Sequence, residues 1–226
     1  MEEIITGLLL KMKYTPIDYL NWDFNGKGNN IIKMMNSNER QIWRKSFPYQ
    51  DKRNDTGHAE IVTYFAFKFL DIISADRKIV IPAAIFHDAG YNINGDEFRK
   101  LCGTEREREI RLEHQVRGVL IANEILNQVK YPVKSALEIM RIISNHDTKI
   151  SDHKGLIFNL TKEERIIRDA DILWRFTKPC MISYNFGKPK EEIRTIMEKE
   201  FSKDNIYNKE AKKIAKIEIE NTLSSI

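Results

Sequence analysis

Residues 81–91 read IPAAIFHDAGY, an apolar run that ends in a histidine next to an aspartate. The apolar part predicts a buried helix with Pro82 near its start, where a missing N–H is tolerated. Neighbouring side chains within a helix point about 100° apart, because one turn takes about 3.6 residues. His87 and Asp88 can therefore reach one centre only at a helix end, and the Ala-Gly pair that follows them supplies such an end.

On either side of this run, apolar residues recur at three- and four-residue steps, which is the spacing of an amphipathic helix. Residues 162–176 and 191–226 have the same spacing, and Thr161 followed by Glu164 has the arrangement of a capping box. No convincing alternation of apolar and polar residues predicts a strand, so the fold class we expect is all-α. The residues expected on buried faces are Val62, Phe65, Phe69 and Ile72 in residues 61–73, Val116, Leu120, Ile121, Ile125 and Leu126 in residues 113–129, and Val133, Leu137, Met140 and Ile143 in residues 133–144.

The composition is that of an ordinary globular protein, with 226 residues of which 42% are hydrophobic and 31% charged. A chain of this length forms a core without needing a disulfide or a metal. Only 10 glycines and 6 prolines occur, which argues against collagen-like and linker-rich chains. The net charge of +4 comes from 37 basic and 33 acidic residues that are interleaved. This balance suits an anionic small molecule or a weak nucleic-acid contact but by itself implies neither, and there is no strong nucleic-acid signature.

Cysteine use and the N-terminus bear on location. Cys102 and Cys180 form no CxxC pair, so we interpret both as small hydrophobic residues in a reducing compartment. The apolar run near the N-terminus is too short for a signal peptide or a membrane span. We therefore expect a cytoplasmic protein with no membrane partner. We also expect one domain over residues 1–226, with a core at about 50–180, an N-terminal extension of helix and loop, and charged C-terminal helices packed on the core.

Asp171 is the residue from which a metal site is inferred. A carboxylate between apolar helical turns is costly to bury unless a cation pairs with it. Imidazole and carboxylate groups are ligands for ions such as Zn, Fe and Mn. His58, the His87-Asp88 pair and Asp171 lie in different predicted helical segments, so helix packing could bring them to one ion, although their spacing alone does not compel it.

Each of these residues also has an ordinary interpretation. A single histidine near an apolar face is more often a hydrogen-bonded core or surface residue. Asp169 and Asp147 read equally well as helix-surface charges, and His153 lies in a polar loop where solvation is expected. The combination, rather than any one residue, is what points to a metal.

The combination resembles the HD-domain superfamily of metal-dependent phosphohydrolases, whose signature is H…HD…D. The resemblance covers about residues 50–180 and implies a helical bundle around a buried metal site. His58, His87, Asp88 and Asp171 are then the implied ligands of a first ion. The contexts that carry the resemblance are Asp55-Thr-Gly-His58, AIFHDAGY at residues 84–91, Glu113-His114, Ser144-Asn-His146-Asp147 and Asp169-Ala-Asp171.

The resemblance also bears on a second ion and on subfamily. In members that hold two ions, extra histidines complete a second site and the aspartate of the HD pair bridges; His114 and His146 stand where those histidines are expected. The implied cofactor is therefore one or two divalent transition-metal ions, among Mn, Fe, Zn, Ni and Co. The residues after Asp88 lack the acidic pair of guanosine-tetraphosphate hydrolases. The Gly-Tyr-Pro of cyclic-di-GMP phosphodiesterases is also missing, because Asn92 follows Tyr91.

The leading functional hypothesis is a metal-dependent phosphohydrolase that acts on a nucleotide or another small phosphate ester. Asp88 would orient the attacking water or accept its proton. Arg53 and Arg175 would neutralise charge that develops on the phosphate, with Lys149 and Arg117 as weaker candidates. An ordinary surface charge is the alternative for each of these cations.

Two further functions stay open at this point. Some dinuclear iron members of the superfamily are oxygenases, and six candidate ligands are present here. A non-catalytic HD domain that binds a nucleotide or a protein partner is the other alternative. The segment from Tyr91 to Arg111 is either a lid over the pocket or an ordinary excursion between helices. The sequence leaves open the physiological substrate, the metal and whether the protein forms a homodimer.

Overall fold

The computed structural model describes residues 14–23, 25–53, 55–147, 160–185, 187–203 and 205–226. These residues form ten α-helices and no strand, which confirms the all-α prediction. None of the helices is both long enough and apolar enough to cross a bilayer. The helices are α1 Ser37–Ser46, α2 His58–Leu70, α3 Arg77–Phe86, α4 Gly95–Lys100, α5 Glu105–Gln128, α6 Val133–Asn145, α7 Lys162–Trp174, α8 Lys178–Asn185, α9 Lys190–Phe201 and α10 Lys209–Ser225.

Helix α3 lies at the centre of the bundle. It packs against α1, α2, α5, α6 and α7, and every residue from Val80 to Phe86 is buried. The helix begins after Asp76, whose side chain accepts a hydrogen bond from the backbone N–H of Lys78 at 2.9 Å. Because α3 is surrounded by other helices, the residues that follow its last turn emerge in the interior of the molecule.

The sequence predicts Pro82 near the start of its helix. In the structure Pro82 is instead the sixth residue of α3. A proline inside a helix leaves the carbonyl four residues earlier without its usual N–H donor. That carbonyl belongs to Lys78, and the hydroxyl of Tyr131 donates to it at 2.8 Å. An external donor thus replaces the missing helical bond.

The predicted buried faces are correct for α2 but wrong in part for α5 and α6. Val62, Phe65 and Phe69 are completely buried, whereas Ile72 is half-buried and follows the helix end. On α5 the buried stripe runs through His114 and Gly118, a face that apolar periodicity alone does not reveal. The predicted core residues that are instead exposed are Val116, Leu120, Val133 and Leu137, at 59–74%.

Several local expectations have a clear outcome. Thr161 does cap α7 by accepting from the N–H of Glu164 at 3.2 Å, but the Glu164 carboxylate pairs with Arg141 instead of closing a capping box. Cys180 is buried as expected, whereas Cys102 is exposed.

Asp169 is not a surface charge: it is fully buried. Its carboxylate accepts bonds from the backbone N–H groups of Tyr207 and Asn208 at 2.7 and 2.9 Å. These bonds tie the segment before α10 to α7.

The start of the described chain is tied to α10 by the buried Glu218. Its carboxylate accepts hydrogen bonds from the hydroxyls of Tyr14 and Tyr19 at 2.5 and 3.1 Å. It also accepts from the backbone N–H of Ile17 at 3.0 Å and from the side-chain amide of Asn221 at 3.2 Å. We call this group, Glu218 with Tyr14, Ile17, Tyr19 and Asn221, the C-terminal cluster. It stabilises the N-terminal extension against the last helix.

Candidate metal centre

Six predicted ligands converge at the end of α3. His58 is the first residue of α2, His87 and Asp88 follow the last turn of α3, and His114 lies in the middle of α5. The sequence predicts His114 at the start of a helix, but this prediction is wrong because α5 already begins at Glu105. The remaining two are His146, directly after α6, and Asp171, within α7. Every histidine of the set is buried.

Helix termini explain how His58 and the His87-Asp88 pair reach this point. Gly57 adopts a positive φ of 86° before α2, a conformation that favours glycine. The Asp51 carboxylate accepts from the backbone N–H groups of Gly57 and Ala59 at 2.7 and 3.1 Å. These bonds satisfy N–H groups at the start of the helix and fix the position of His58.

Three of the ligands form a first triad: His58, His87 and Asp171. The Nε2 atoms of the two histidines lie 2.9 Å apart. The Oδ1 atom of Asp171 lies 3.3 Å from Nε2 of His58 and 3.8 Å from Nε2 of His87.

The other three form a second triad: Asp88, His114 and His146. The Oδ1 atom of Asp88 lies 3.5 Å from Nε2 of His114 and 3.3 Å from Nε2 of His146. The two imidazole nitrogens are 3.3 Å apart. The other carboxylate oxygen of Asp88, Oδ2, faces the first triad, at 3.3 Å from His58 and 3.7 Å from His87. Asp88 thus joins the two triads.

These separations fit ligands that share an ion. Two ligand atoms that each lie about 2.1 Å from one ion are about 3.0–3.4 Å apart in octahedral or tetrahedral geometry. The separations within the triads, 2.9–3.8 Å, cluster around that range. Imidazole and carboxylate donors are also the set that transition metals of the Mn-to-Zn series accept.

Two histidines are oriented by backbone carbonyls. The Nδ1–H of His87 donates to the carbonyl of Ala84, and that of His146 donates to the carbonyl of Ile143, both at 2.8 Å. Carbonyls in the last turn of a helix lack an intrahelical partner, so each imidazole fills this role. Nε2 then keeps its lone pair for an ion, which is the usual tautomer of a metal-binding histidine.

The other two histidines are oriented by aromatic rings. The Nδ1 atoms of His58 and His114 are buried and have no hydrogen-bond partner among the described residues. The ring of His114 stacks on Tyr91 with centroids 3.9 Å apart and an angle of 10° between the planes. The ring of His58 meets Trp174 edge-on at 5.0 Å. In each triad, therefore, one histidine is oriented by a hydrogen bond to a backbone carbonyl and the other by contact with an aromatic ring.

A close backbone contact holds the two triads together. A Cβ atom at Gly90 would lie 1.8 Å from the carbonyl oxygen of His114 and 2.5 Å from the N atom of Gly118. The turn after α3 therefore touches the main chain of α5, and only a glycine leaves room for that contact.

Arg53 contacts the centre from the loop before α2. Its guanidinium pairs directly with Oδ2 of Asp88 and lies 3.1 Å from Oδ2 of Asp55. It also stacks over the Tyr91 ring, 4.0 Å from the centroid, which is within the range of a cation–π contact.

The electrostatics favour a cation at this position. Burial raises the pKa of the Asp171 carboxyl, but the hydrogen bond and the charge of His58 outweigh burial and lower it. Burial also raises the pKa of Asp88, and Arg53 and His87 outweigh it and bring the pKa well below its ordinary value. Burial and the neighbouring His146 lower the pKa of His114 to about 3. The second triad therefore offers an ionised carboxylate and the unprotonated imidazole of His114. Burial lowers the pKa of His146, but the hydrogen bond to Asp88 outweighs burial and raises it.

Other predicted residues lie away from the triads. Arg175 pairs with Glu200 on α9, and 45% of its side chain is exposed, while Arg117 is exposed on α5. Asp147 is only partly exposed and pairs with Arg111 at 2.6 Å, so it is not a free surface charge. Lys149 and His153 lie outside the described residues.

The segment from Tyr91 to Arg111 contains α4 and the first residues of α5. Tyr91, Phe98 and Ile110 are buried together in a small core of their own, so the segment packs against the site. Its role as a lid stays a prediction.

Three residues at the centre were not predicted as members of the site: Asp55, Tyr91 and Trp174. Asp55 stands three residues before His58 and its carbonyl accepts from the His58 N–H at 2.8 Å. A carboxylate three residues before a predicted metal-binding histidine lies close to the start of the same helix. This spacing is the signal in the sequence from which Asp55 could have been predicted. The packing of two aromatic rings on histidines has no counterpart in the sequence pattern.

A comparison with protein-family models matches residues 56–175 to the family described as HD domain. The match spans more than half of the chain and includes all six residues of the two triads. No curated protein and no solved structure matches the chain. The chain belongs to the HD-domain superfamily of metal-dependent phosphohydrolases.

Proposed function

We propose that this protein hydrolyses a phosphate ester of a nucleotide or another small molecule, with divalent metal at the two triads. The observation that carries the proposal is the position of Asp88, whose two oxygens face two different triads while Arg53 contacts it from a cleft. Cations stabilise the charge that develops on a phosphoryl group in the transition state, and ions at the two triads together with Arg53 would supply them.

The proposed ligands of the first ion are His58, His87, Asp88 and Asp171. Those of a second ion are Asp88, His114 and His146. When bound, a divalent ion of the Mn, Fe, Co, Ni or Zn type lowers the pKa of a water molecule from about 15.7 toward about 7 and polarises a phosphoryl oxygen.

The cleft beside the centre is suited to the phosphate end of a substrate. It is lined by Lys52 and Arg53 from the loop before α2 and by Asp88, Ala89 and Tyr91 from the end of α3 and the turn that follows. Arg53 and the exposed Lys52 are the cations that would meet the phosphate oxygens.

Proton transfer depends on how many ions are bound. With only the first triad filled, Oδ1 of Asp88 would bind no ion and, 3.3 Å from Nε2 of His146, would orient the water or accept its proton. With both triads filled, both oxygens of Asp88 would serve as ligands and another base would be required. Arg175 would have to leave Glu200 to reach the phosphate, so we assign the phosphate contact first to Arg53.

The test is release of inorganic phosphate from a panel of nucleotides and simple phosphate esters, with Mn, Co, Ni, Zn or Fe supplied in turn. We expect release with at least one ion and its loss in His87→Ala. Leu137→Ala, on an exposed position of α6, is the matched control and should keep wild-type activity. Absence of release with every ion, or release that survives His87→Ala, would contradict the proposal.

Oxygenation is the second candidate, because six ligands in two triads joined by one carboxylate also suit a pair of iron ions. Elemental analysis and oxygen uptake separate the two functions. Two tightly held irons per chain with oxygen consumed alongside an organic substrate would support oxygenation. A metal that exchanges freely and supports phosphate release would support hydrolysis. A rise in melting temperature with a nucleotide but no turnover would indicate a binding domain.

A further inference from the structure

Asp55 is a buried carboxylate that the known signature of the family does not include. The residue is 2% exposed. Its Oδ2 atom pairs with Arg53 at 3.1 Å, but its Oδ1 atom is buried and has no hydrogen-bond partner among the described residues. A buried carboxylate oxygen without a partner is costly. Some group that the described residues do not supply is therefore expected to satisfy it.

Asp55 also belongs to a third group of ligand atoms. One carboxylate oxygen of Asp55, an imidazole nitrogen of His58 and an oxygen of Asp88 all lie within 4.8 Å of one another. His58 and Asp88 are already proposed ligands of the first ion, so Asp55 approaches that ion from the loop before α2. This loop also lines the cleft.

Arg53 holds the two carboxylates of this group. One of its terminal nitrogens, Nη2, contacts both Asp55 and Asp88. A single guanidinium charge thus stands between two acidic groups, where a divalent ion would balance them more completely.

We propose that Asp55 is an additional metal ligand at the first ion, and that Arg53 pairs with Asp55 and Asp88 only until the ion displaces it. Once displaced, Arg53 is free to turn into the cleft toward an anionic substrate while its guanidinium stays close to the Tyr91 ring. The inference rests on the proposed metal centre and not on the identity of the substrate.

The experiment measures Co²⁺ binding by the purified full chain, without turnover. Affinity is read by competition with a chromophoric chelator, and the ligand set is read from the visible absorption of the bound Co²⁺. We expect Asp55→Asn to weaken binding by about tenfold or more and to change the absorption spectrum, because a ligand is lost. We expect Arg53→Gln to bind Co²⁺ more tightly than wild type with an unchanged spectrum, because a competing cation is removed.

Asp55→Glu keeps a carboxylate at this position and serves as a control in case the asparagine variant misfolds. It should bind Co²⁺ more tightly than Asp55→Asn. If Asp55 only positions Arg53, Asp55→Asn and Arg53→Gln will change the Co²⁺ affinity in the same direction, and neither will change the absorption spectrum. The double variant will then have the same affinity as the single variants. That result would overturn the proposal. Equal binding by the glutamate and asparagine variants would overturn it as well.

His87→Ala separates this inference from the centre on which it depends. Its Co²⁺ binding should fall and its spectrum should change; wild-type binding would overturn the metal centre and Asp55 together. If wild type releases no phosphate from any substrate while Asp55→Asn still changes the spectrum, only the proposed hydrolysis is contradicted and the assignment of Asp55 is supported.

Discussion

The metal centre and the C-terminal cluster both bury carboxylates, but they satisfy them in different ways. Glu218 accepts bonds from hydroxyl, amide and backbone donors, and no cation pairs with it among the described residues. The centre instead gathers three aspartates and four imidazoles, and buried atoms of Asp55, His58 and His114 have no hydrogen-bond partner within the described ranges. A buried acid with enough neutral donors stabilises the fold by itself, whereas a group rich in acceptors requires a cation.

Removal of Glu218 should give the largest effect on stability. Glu218→Ala removes the acceptor of the buried donors on Tyr14 and Ile17 and one of the bonds of the Tyr19 hydroxyl, and each unsatisfied donor costs about 1–3 kcal/mol. We expect the free energy of unfolding to fall by about 3–5 kcal/mol in urea titrations. The matched control is Glu220→Ala on the same helix, which removes only the partly exposed pair with Arg194 and should cost less than about 1 kcal/mol. Equal losses of unfolding free energy in Glu218→Ala and Glu220→Ala would contradict the prediction.

Metal should stabilise the folded protein only through the centre. At a free ion concentration of about 100 times Kd, binding adds about 2.7 kcal/mol, which corresponds to a rise in Tm of about 5–10 °C for a chain of this size. The comparison is between scans with added Mn²⁺ or Co²⁺ and scans with a chelator. His87→Ala should lose most of the increase, whereas Glu220→Ala should keep it. An increase that is the same in His87→Ala would place the ion elsewhere.

Loss of the Tyr91 ring should give a smaller effect. Nδ1 of His114 has no hydrogen-bond partner in the part of the chain that the structure describes, so the orientation of this histidine depends on the ring. Tyr91→Leu should therefore weaken binding of the second ion by about tenfold, measured as metal stoichiometry against free ion concentration. Tyr91→Phe keeps the ring and should behave as wild type. A loss in the phenylalanine variant would assign the effect to the hydroxyl.

The smallest effect is the pH dependence contributed by Glu218. Burial raises its pKa, although the bonds from Tyr14 and Asn221 oppose this. The folded state therefore binds this proton more tightly than the unfolded state, whose glutamate pKa is about 4.3. The contribution of Glu218 is fully present below that pH and declines as the pH rises through the folded pKa. We expect the stability of wild type relative to Glu218→Gln to fall as the pH rises from about 4 toward neutral. A difference that is independent of pH would contradict the shift.

The sequence predicts the helical class and the six residues of the triads, because their order and local contexts are specific. It predicts burial less well where a buried helix face is polar. Val116 and Leu120 were expected in the core of α5, but the buried face carries His114 and Gly118, since that helix contributes a ligand and a close backbone contact there. Asp55, Tyr91 and Trp174 depend on loop conformation and ring packing, which periodicity does not encode.

The contact of Gly90 with α5 has a consequence for which substitutions the centre tolerates. Any side chain at residue 90 would have to separate two main chains, and the turn that carries Asp88 would then move away from the helix that carries His114. The distance between these two ligand-bearing segments therefore depends on a residue that has no side chain.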